Sequence, residues 1–224
     1  MSPERVSELL AEIERKDLST AAHTWRVVLY ARALCEAFGV DHETIALVTQ
    51  GAAMHDLGKL DVPDEILQKP DRLTPDEFEI IKVHPVSGYA RMIEMDVDEE
   101  PILDLVRYHH ERWDGLGYPF KLKGEGIPLG ARFFAVIDAF DAMTSIRPYR
   151  RELGGDAAVR ALEEIEAGAG TRYAPEASAV FTELFRTGKL DHILHYFNDE
   201  ATVPAFHAAQ MAQIDRLAKR RTTG

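Results

Sequence analysis

The stretch Met54-His55-Asp56-Leu57-Gly58-Lys59 sets a histidine directly beside an aspartate, shortly before a glycine and a lysine. A second histidine pair, His109-His110, follows later in the chain. An imidazole can bind one metal ion while the adjacent carboxylate reaches a second ion, and both groups are common ligands of divalent metals. The two pairs therefore predict a metallohydrolase.

The composition limits the class of protein. The chain has 224 residues, 46% of them hydrophobic, which suffices for one domain with a buried core. No apolar run approaches the ~20 residues that span a bilayer, and the first four residues lack the basic and apolar regions of a signal peptide. We therefore expect a cytoplasmic protein that does not bind membranes.

The charge and the cysteine content narrow the function further. A net charge of -12 opposes binding to a nucleic-acid polymer, because such binding depends on basic residues. An anionic substrate would then need a locally positive site, which bound metal ions would provide. The single cysteine, Cys35, supplies no thiolate cluster for zinc, and we expect it in the core.

Hydrophobic spacing predicts helices almost throughout and no persistent strand, so we expect an all-α bundle. An amphipathic helix from Ala22 to Phe38 carries His23 in its first turn, with Trp25 and Leu29 on its apolar face. Asp41 is expected to cap the next helix, which ends at Met54 and places His55-Asp56 at its C-terminal end.

Capping signals mark the helices that follow. Thr74-Pro75-Asp76-Glu77 predicts a helix start with a capping box, and His84 is assigned to this helix, although Pro85 should bend or interrupt the helix there. Pro101 begins a helix that ends at His109-His110. Residues 111–129 are Gly- and Pro-rich and predict an irregular loop. Further helices are expected over residues 131–145, 155–167, 175–186 and 203–220.

Ionisable residues recur in apolar surroundings. Asp138 lies between Phe133-Phe134-Ala135-Val136-Ile137 and Ala139-Phe140, where a carboxylate is costly unless it is paired or bound to metal. By itself, Asp138 would be satisfied by a helix cap or an arginine. His23 or His84 alone would be an ordinary core histidine. Their occurrence together with the two histidine pairs favours a metal centre.

These residues, in this order, resemble the HD-GYP branch of the HD-domain metal-dependent phosphohydrolases. The resemblance covers residues 16–173. Its pieces are Thr20 to His23, Arg26-Val27, His55 to Lys59, Gln68-Lys69-Pro70, His84 to Gly88, His109 to Pro119 with the tripeptide Gly117-Tyr118-Pro119, Ile127-Pro128, Asp138 to Thr144, and Arg147 to Arg150.

The resemblance implies a helical domain that hydrolyses cyclic di-GMP to linear pGpG, with GMP as a further product. It implies that one metal ion is bound by His23, His55, Asp56 and Asp138, and its neighbour by Asp56, His84, His109 and His110. Asp56 would then bridge two divalent ions and belong to the catalytic machinery. Two such ions would lower the pKa of a bridging water and leave the site net positive.

Further roles come from the same resemblance. Lys59 is expected to contact the scissile phosphate, with a solvated side chain as the alternative. Asp141 is expected to orient the nucleophile or a ligand histidine, or else to form a salt bridge on the helix surface. Arg147 and Arg150 are expected to bind substrate phosphates, with surface carboxylates as the alternative partners.

The irregular loop has two interpretations. Tyr118 could form part of the substrate pocket or recognise a partner, since this loop is associated in the family with contacts to diguanylate cyclase domains. Trp113 could stack on a guanine, although we favour packing of the loop onto the domain.

The number and identity of the metals are also predicted. Members of the family with three metals have a glutamate where this chain has Ser19, so we expect two ions. A site of histidines and carboxylates without thiolate suits iron first and manganese next, with zinc, nickel and cobalt as alternatives.

Two other functions stay open: hydrolysis of another cyclic dinucleotide or nucleotide, and a non-catalytic module that binds cyclic di-GMP or a protein. We assign residues 1–187 to an HD-GYP domain and residues 188–224 to a C-terminal helical extension. The extension could pack back on the domain or pair two chains as a homodimer through its apolar residues, Phe206, Met211, Ile214 and Leu217.

Overall fold

A computed structural model describes residues 3–16, 20–69, 71–145 and 156–196, and these ranges contain α-helices, short 3₁₀ turns and no β-strand. The predicted all-α bundle is therefore confirmed over the described residues. The helices are α1 Pro3–Lys16, α2 Thr20–Ala37, α3 His42–Met54, α4 Asp64–Leu67, α5 Pro75–Ile81, α6 His84–Glu94, α7 Glu100–Tyr108, α8 Leu129–Thr144, α9 Ala157–Gly168, α10 Pro175–Arg186 and α11 Asp191–Tyr196; the 3₁₀ turns are Leu57–Asp61 and Gly124–Gly126.

Two predicted helix starts are confirmed in atomic detail. The Asp41 carboxylate accepts the Thr44 N–H at 2.9 Å and caps α3. At α5, the Glu77 N–H donates to the Thr74 hydroxyl and the Thr74 N–H donates to the Glu77 carboxylate, which completes the capping box. Both caps satisfy N–H groups that have no partner within the helix.

The assignment of His84 to the helix of Thr74 is wrong. Helix α5 ends at Ile81, and His84 is the first residue of α6. Pro85 explains the difference, because a proline has no N–H to donate and fits the first turn of a helix without loss. The interruption predicted near Pro85 is thus confirmed, but it falls before His84, and Pro85 lies in the first turn of a new helix.

Helix α2 is buried more widely than its sequence pattern predicts. Val27, Tyr30 and Leu34 are fully buried in the larger core, whereas Trp25 and Leu29 are only half-buried. The reason is that α2 is packed by α3, α8 and α10 on different sides. The predicted apolar face therefore faces partly outward. Cys35 is buried in the same core, as expected.

A close backbone contact joins the turn after α3 to the start of α6. A Cβ at Gly58 would overlap the carbonyl oxygen of His84 and the amide nitrogen of Gly88. Only a glycine therefore allows the turn after α3 to lie directly against the start of α6. This contact brings the His55-Asp56 pair next to His84.

The described part of the C-terminal segment belongs to the bundle. Leu190 and Ile193 are fully buried in the larger core, beside α2. The predicted helix over residues 203–220, with its apolar residues, lies outside the described residues, so its packing stays a prediction, as does the division at residue 187. Among the described helices, none is long and apolar enough to cross a membrane.

Candidate metal centre

Helix ends converge at one place in the bundle and bring the predicted ligands together. His23 comes from the first turn of α2, His55 follows the end of α3, His84 begins α6 and His109 follows the end of α7. These histidines and Asp56 are buried. Helix termini are rigid mounts, and their geometry is set by helix packing and not by loop conformation.

The side chains form two groups, each able to hold one metal ion. His23, His55 and Asp56 form one group, and His84, His109 and His110 form the other, with the ligand atoms of each group within 4.8 Å of one another. The Nε2 atoms of His23 and His55 are 3.3 Å apart, and those of His84 and His109 are 3.1 Å apart.

Asp56 lies between the two groups. Its Oδ2 is 3.1 Å from Nε2 of His55, and its Oδ1 is 3.5 Å from Nε2 of His84. Each oxygen of one carboxylate therefore faces a different group. This is the geometry that a bridging ligand needs.

Hydrogen bonds to the main chain fix the orientation of three histidine rings. The Nδ1 atom of each ring lies 2.8 to 2.9 Å from the carbonyl oxygen three residues earlier, the pairs being His55 with Ala52, His84 with Ile81, and His109 with Val106. A carbonyl oxygen can only accept, so Nδ1 carries the proton and Nε2 of the neutral ring presents a lone pair. Such outer contacts are typical of metal-binding histidines. The donor set therefore fits divalent cations.

His23 is held by two carboxylates of α8 instead. Its Nδ1 is 2.7 Å from Oδ2 of Asp141, and its Nε2 is 3.5 Å from Oδ1 of Asp138. Asp138 therefore lies beside Nε2 of His23, the nitrogen that also approaches His55 of the first group. Asp141 contacts the opposite side, which fits the alternative in which it orients a ligand histidine.

A buried network surrounds Asp141, and sequence reasoning gave its other members no role. The Asp141 carboxylate accepts hydrogen bonds from Arg26 at 2.5 and 3.1 Å and from the Ser145 hydroxyl at 3.0 Å. Arg26 also donates to Ser145 at 2.6 Å. The available signal was the position of Arg26, one helical turn after His23. Its partners lie more than a hundred residues away, beyond any local pattern.

Burial keeps the second group of histidines neutral. It lowers the pKa of His84 to about 3 and that of His110 to about 4, and it lowers the pKa of His109 well below its usual value. Neutral imidazoles bind metals without first losing a proton.

The first group differs because carboxylates surround it. Burial alone would lower the pKa of His55, but the charges of Asp56 and Asp138 outweigh burial and raise it. Burial alone would raise the pKa of Asp56, but His55 and Lys59 outweigh it and hold that pKa well below the usual range. The pKa of Asp138 is also lowered against the effect of burial, mainly by His23. Both carboxylates are therefore ionised at neutral pH, as metal ligands must be.

Lys59 reaches the same centre. It lies in the 3₁₀ turn that follows the His-Asp pair, and its Nζ is 2.7 Å from Oδ2 of Asp56. Its side chain is partly exposed, so the ammonium stands between the buried ligands and the surface. The structure thus places Lys59 beside the metal groups and not as a solvated side chain.

The Gly/Pro-rich loop folds over the centre, and Glu111 holds it there. The buried Glu111 carboxylate accepts the N–H groups of Phe120 at 2.7 Å and Leu122 at 3.0 Å. Gly117 is needed because a Cβ there would overlap the backbone of residues 111 and 112. The Tyr118 ring packs on the His110 ring, with 4.8 Å between the centroids and a tilt of 30°.

Two more contacts fix the loop. The Arg107 guanidinium lies between the rings of Tyr89 and Phe120, at 4.4 and 4.5 Å from their centroids. Trp113 packs against the larger core, as predicted, and its main-chain N–H donates to the main-chain carbonyl of Arg172. Sequence reasoning assigned no role to Glu111 or Arg107. A carboxylate directly after the histidine pair, at the start of a Gly-rich loop, was the signal for Glu111.

Some predicted residues cannot be placed. Arg147, Arg150 and Ser19 lie outside the described residues. Their proposed parts in substrate binding and in limiting the metal count stay predictions. All predicted metal ligands fall within the described ranges and come together.

Comparison with known proteins gives consistent matches. Residues 5–177 match the HD domain family. The chain is 40% identical over 175 residues to a cyclic di-GMP phosphodiesterase of Thermotoga maritima, which covers 76% of this chain and 46% of that protein. It is 33% identical over 187 residues to 3'3'-cGAMP-specific phosphodiesterase 2 of Vibrio cholerae, which covers 81% of this chain and 34% of that protein.

A solved structure shares the fold. Bd1817, a HDG"Y"P protein from Bdellovibrio bacteriovorus, superposes with a TM-score of 0.60 at 18% identity, over 75% of this chain and 53% of that chain. The chain spans less than half the length of the curated relatives it matches.

Proposed function

The chain belongs to the HD domain family and is of the HD-GYP type, and on that premise we propose that it is a metal-dependent phosphodiesterase that hydrolyses cyclic di-GMP. The position of Asp56 carries the proposal, because its two oxygens face two separate groups of metal-binding side chains. The 40% sequence identity with two cyclic di-GMP phosphodiesterases supports the choice of substrate.

The residues in the bundle divide between two ions. His23, His55, Asp56 and Asp138 would hold the first ion; His84, His109, His110 and Asp56 would hold the second. When bound, two divalent ions lower the pKa of a water molecule and offset the negative charge of a phosphodiester. Nitrogen and carboxylate donors without thiolate favour iron, then manganese, with zinc, nickel or cobalt as substitutes.

The chain's own residues complete the chemistry. The Lys59 ammonium, beside Asp56, would donate to a phosphate oxygen and stabilise the charge that grows there in the transition state. Asp141 would keep the His23 ring oriented through its 2.7 Å contact with Nδ1. Tyr118 would close one side of the substrate pocket through its packing on His110. Arg147 and Arg150 are proposed to bind the second phosphate.

A second substrate has specific support. The 3'3'-cGAMP-specific phosphodiesterases of Vibrio cholerae are also more than 30% identical to this chain. The metal-binding residues determine which bond is cleaved and say little about the base. Hydrolysis of 3'3'-cGAMP is therefore the second candidate, and a non-catalytic cyclic di-GMP sensor is the third.

Product analysis tests these functions. The protein is loaded with iron or manganese under anaerobic conditions. It is then incubated separately with cyclic di-GMP, 3'3'-cGAMP and cyclic di-AMP, and the products are separated by chromatography. We expect cyclic di-GMP to be consumed fastest, with pGpG as the first product and GMP as a later one. If the loaded protein cleaves none of them, while it and Asp56→Ala bind cyclic di-GMP equally well, the chain is a sensor.

The partners and the location are also part of the proposal. Exposed apolar side chains of the loop, Leu116 and Phe120, support a contact with a diguanylate cyclase domain. A homodimer through the C-terminal segment and a cytoplasmic location are retained as predictions from the sequence.

A further inference from the structure

Helix α5 carries an aromatic side chain that the core does not use. Over its whole length the helix has no buried residue. Phe78 is 45% exposed, and its ring contacts that of Tyr118 in the Gly/Pro-rich loop. The ring therefore contributes its surface to the loop that carries Tyr118 and not to either hydrophobic core.

Three rings form a continuous path from the metal centre to this surface. The Tyr118 ring packs on that of His110, a member of the second metal group. The Phe78 ring meets the Tyr118 ring edge to face, with 6.5 Å between centroids at 80°. The path thus connects the exposed Phe78 ring, through Tyr118, to a histidine of the second metal group.

A cation completes this wall of rings. The Nζ of Lys82 lies 5.6 Å from the centroids of both Phe78 and Tyr118. It also donates to Glu79 at 2.6 Å, which fixes its position at the surface. An ammonium group has three donors, so one bond to Glu79 leaves others to face a ligand.

We propose that Phe78, Tyr118 and Lys82 form a subsite for a guanine base of the substrate, an inference that rests on the proposed phosphodiesterase function. A purine presents a flat face that stacks on aromatic rings, whichever base it is. Guanine adds two acceptors, O6 and N7, on one edge, where adenine has an amino donor in place of O6. An ammonium at that edge therefore favours guanine over adenine.

Kinetics of matched variants test the subsite. Phe78→Leu keeps an apolar side chain but removes the ring, and Lys82→Met keeps the length of the side chain but removes the charge. Ile80→Ala is the control, because Ile80 is 43% exposed on the same helix and makes none of these ring contacts. Each metal-loaded variant is assayed with cyclic di-GMP and cyclic di-AMP.

We expect Phe78→Leu to raise KM for cyclic di-GMP by about tenfold, with kcat changed less than about twofold, because stacking on the base stabilises the bound substrate and the transition state equally. Lys82→Met should lower the preference for cyclic di-GMP over cyclic di-AMP, measured as the ratio of kcat/KM values, by about tenfold. Ile80→Ala should change neither quantity.

The outcomes separate this inference from the proposed function. If wild-type protein hydrolyses cyclic di-GMP and both variants match it in KM and in preference, the subsite is refuted while the phosphodiesterase stands. If wild-type protein hydrolyses no cyclic dinucleotide, the affinity of the same variants for cyclic di-GMP, measured by calorimetry, takes the place of KM. Unchanged affinity, or no binding by the wild type, refutes the subsite, and a loss confined to Phe78→Leu and Lys82→Met supports it.

Discussion

The Nε2 atoms of His84 and His109 lie 3.1 Å apart inside the helical bundle. Both rings are neutral at pH 7, since burial lowers the pKa of each, and both donate their Nδ1–H to main-chain carbonyls. Two nitrogen lone pairs therefore face each other, an arrangement that is repulsive by itself and favourable around a cation. The packing of α6 against α7 thus builds a cation site directly into the fold.

Removal of divalent metal should lower thermal stability. A ligand that binds only the folded state stabilises it by about 2.7 kcal/mol at a hundred times its Kd, and each kcal/mol is worth about 2–4 °C in a domain of this size. We expect chelation to lower the melting temperature by at least about 5 °C in calorimetry.

Manganese should restore that melting temperature, whereas magnesium should not, because histidine nitrogen suits manganese better than magnesium. Equal melting temperatures for native, chelated and manganese-treated protein would argue against a structural role for metal in this bundle.

Replacement of Lys59 should slow the reaction more than it weakens substrate binding. The ammonium beside Asp56 is positioned to meet charge that develops on the phosphate. Loss of one such donor typically costs about 10²–10³ in kcat, so we expect Lys59→Met to lower kcat by that factor while the metal content stays at the wild-type level. Lys189→Met, an exposed lysine between α10 and α11, is the control. A normal kcat in Lys59→Met would show that this lysine does not take part.

Replacement of Asp141 should weaken metal binding and stability together. Asp141 and Arg26 form a buried ion pair, and Asp141→Asn removes its negative charge. Breaking such a pair typically lowers the free energy of unfolding by about 3–5 kcal/mol. The substitution also weakens the support of His23, which should lower metal affinity by about 10–100-fold. Urea denaturation and metal titration measure the two effects.

A double variant separates these effects of Asp141. Combining Asp141→Asn with Arg26→Met also removes the buried guanidinium that has lost the charge of Asp141, so stability should recover in part while metal affinity stays low. If the single variant binds metal as tightly as the wild type, Asp141 stabilises the fold without positioning His23.

Replacement of Glu111 should loosen the loop that carries Tyr118. The carboxylate of Glu111 accepts two main-chain N–H groups, and the amide of Glu111→Gln has one acceptor oxygen for only one of them. Its NH₂ group would face the other N–H. The loss of this charge-assisted hydrogen bond should cost about 1.5–3 kcal/mol of stability. We expect faster proteolysis within the loop and a lower free energy of unfolding. Glu125→Gln, an exposed glutamate of the same loop, should behave like the wild type. Identical proteolysis of both variants would mean that Glu111 does not anchor the loop.

The positions of the candidate ligands at helix ends could be predicted from the sequence because the signals for helix ends are local. Asp41 and the Thr74–Glu77 box mark helix starts, and His55 and His109 follow helix ends that apolar spacing defines. The meeting of those ends depends on Gly58, whose missing side chain allows the turn to lie against α6. A glycine after a helix looks like any other stop signal, so that contact could not be predicted.

The supporting residues were missed because their contacts are distant or resemble other patterns. Arg26 acquires its role from Asp141, which lies 115 residues away. Phe78 lies in the short α5, which has no buried residue, and its ring contact is with Tyr118, forty residues later in the chain. His84 was assigned to the wrong helix because a proline has a different effect inside a helix and in its first turn. Only the tertiary structure distinguishes these cases.

The incorporation of oxygen from water tests the central claim most directly, namely that the centre around Asp56 hydrolyses a phosphodiester bond. Metal-loaded protein is incubated with cyclic di-GMP in ¹⁸O-labelled water, and the products are analysed by mass spectrometry. We predict linear pGpG that carries one ¹⁸O atom on its terminal phosphate, where the phosphodiester bond was cleaved. Asp56→Asn should give no labelled product. Intact cyclic di-GMP after prolonged incubation with metal-loaded protein, or equal labelling by Asp56→Asn, would contradict it.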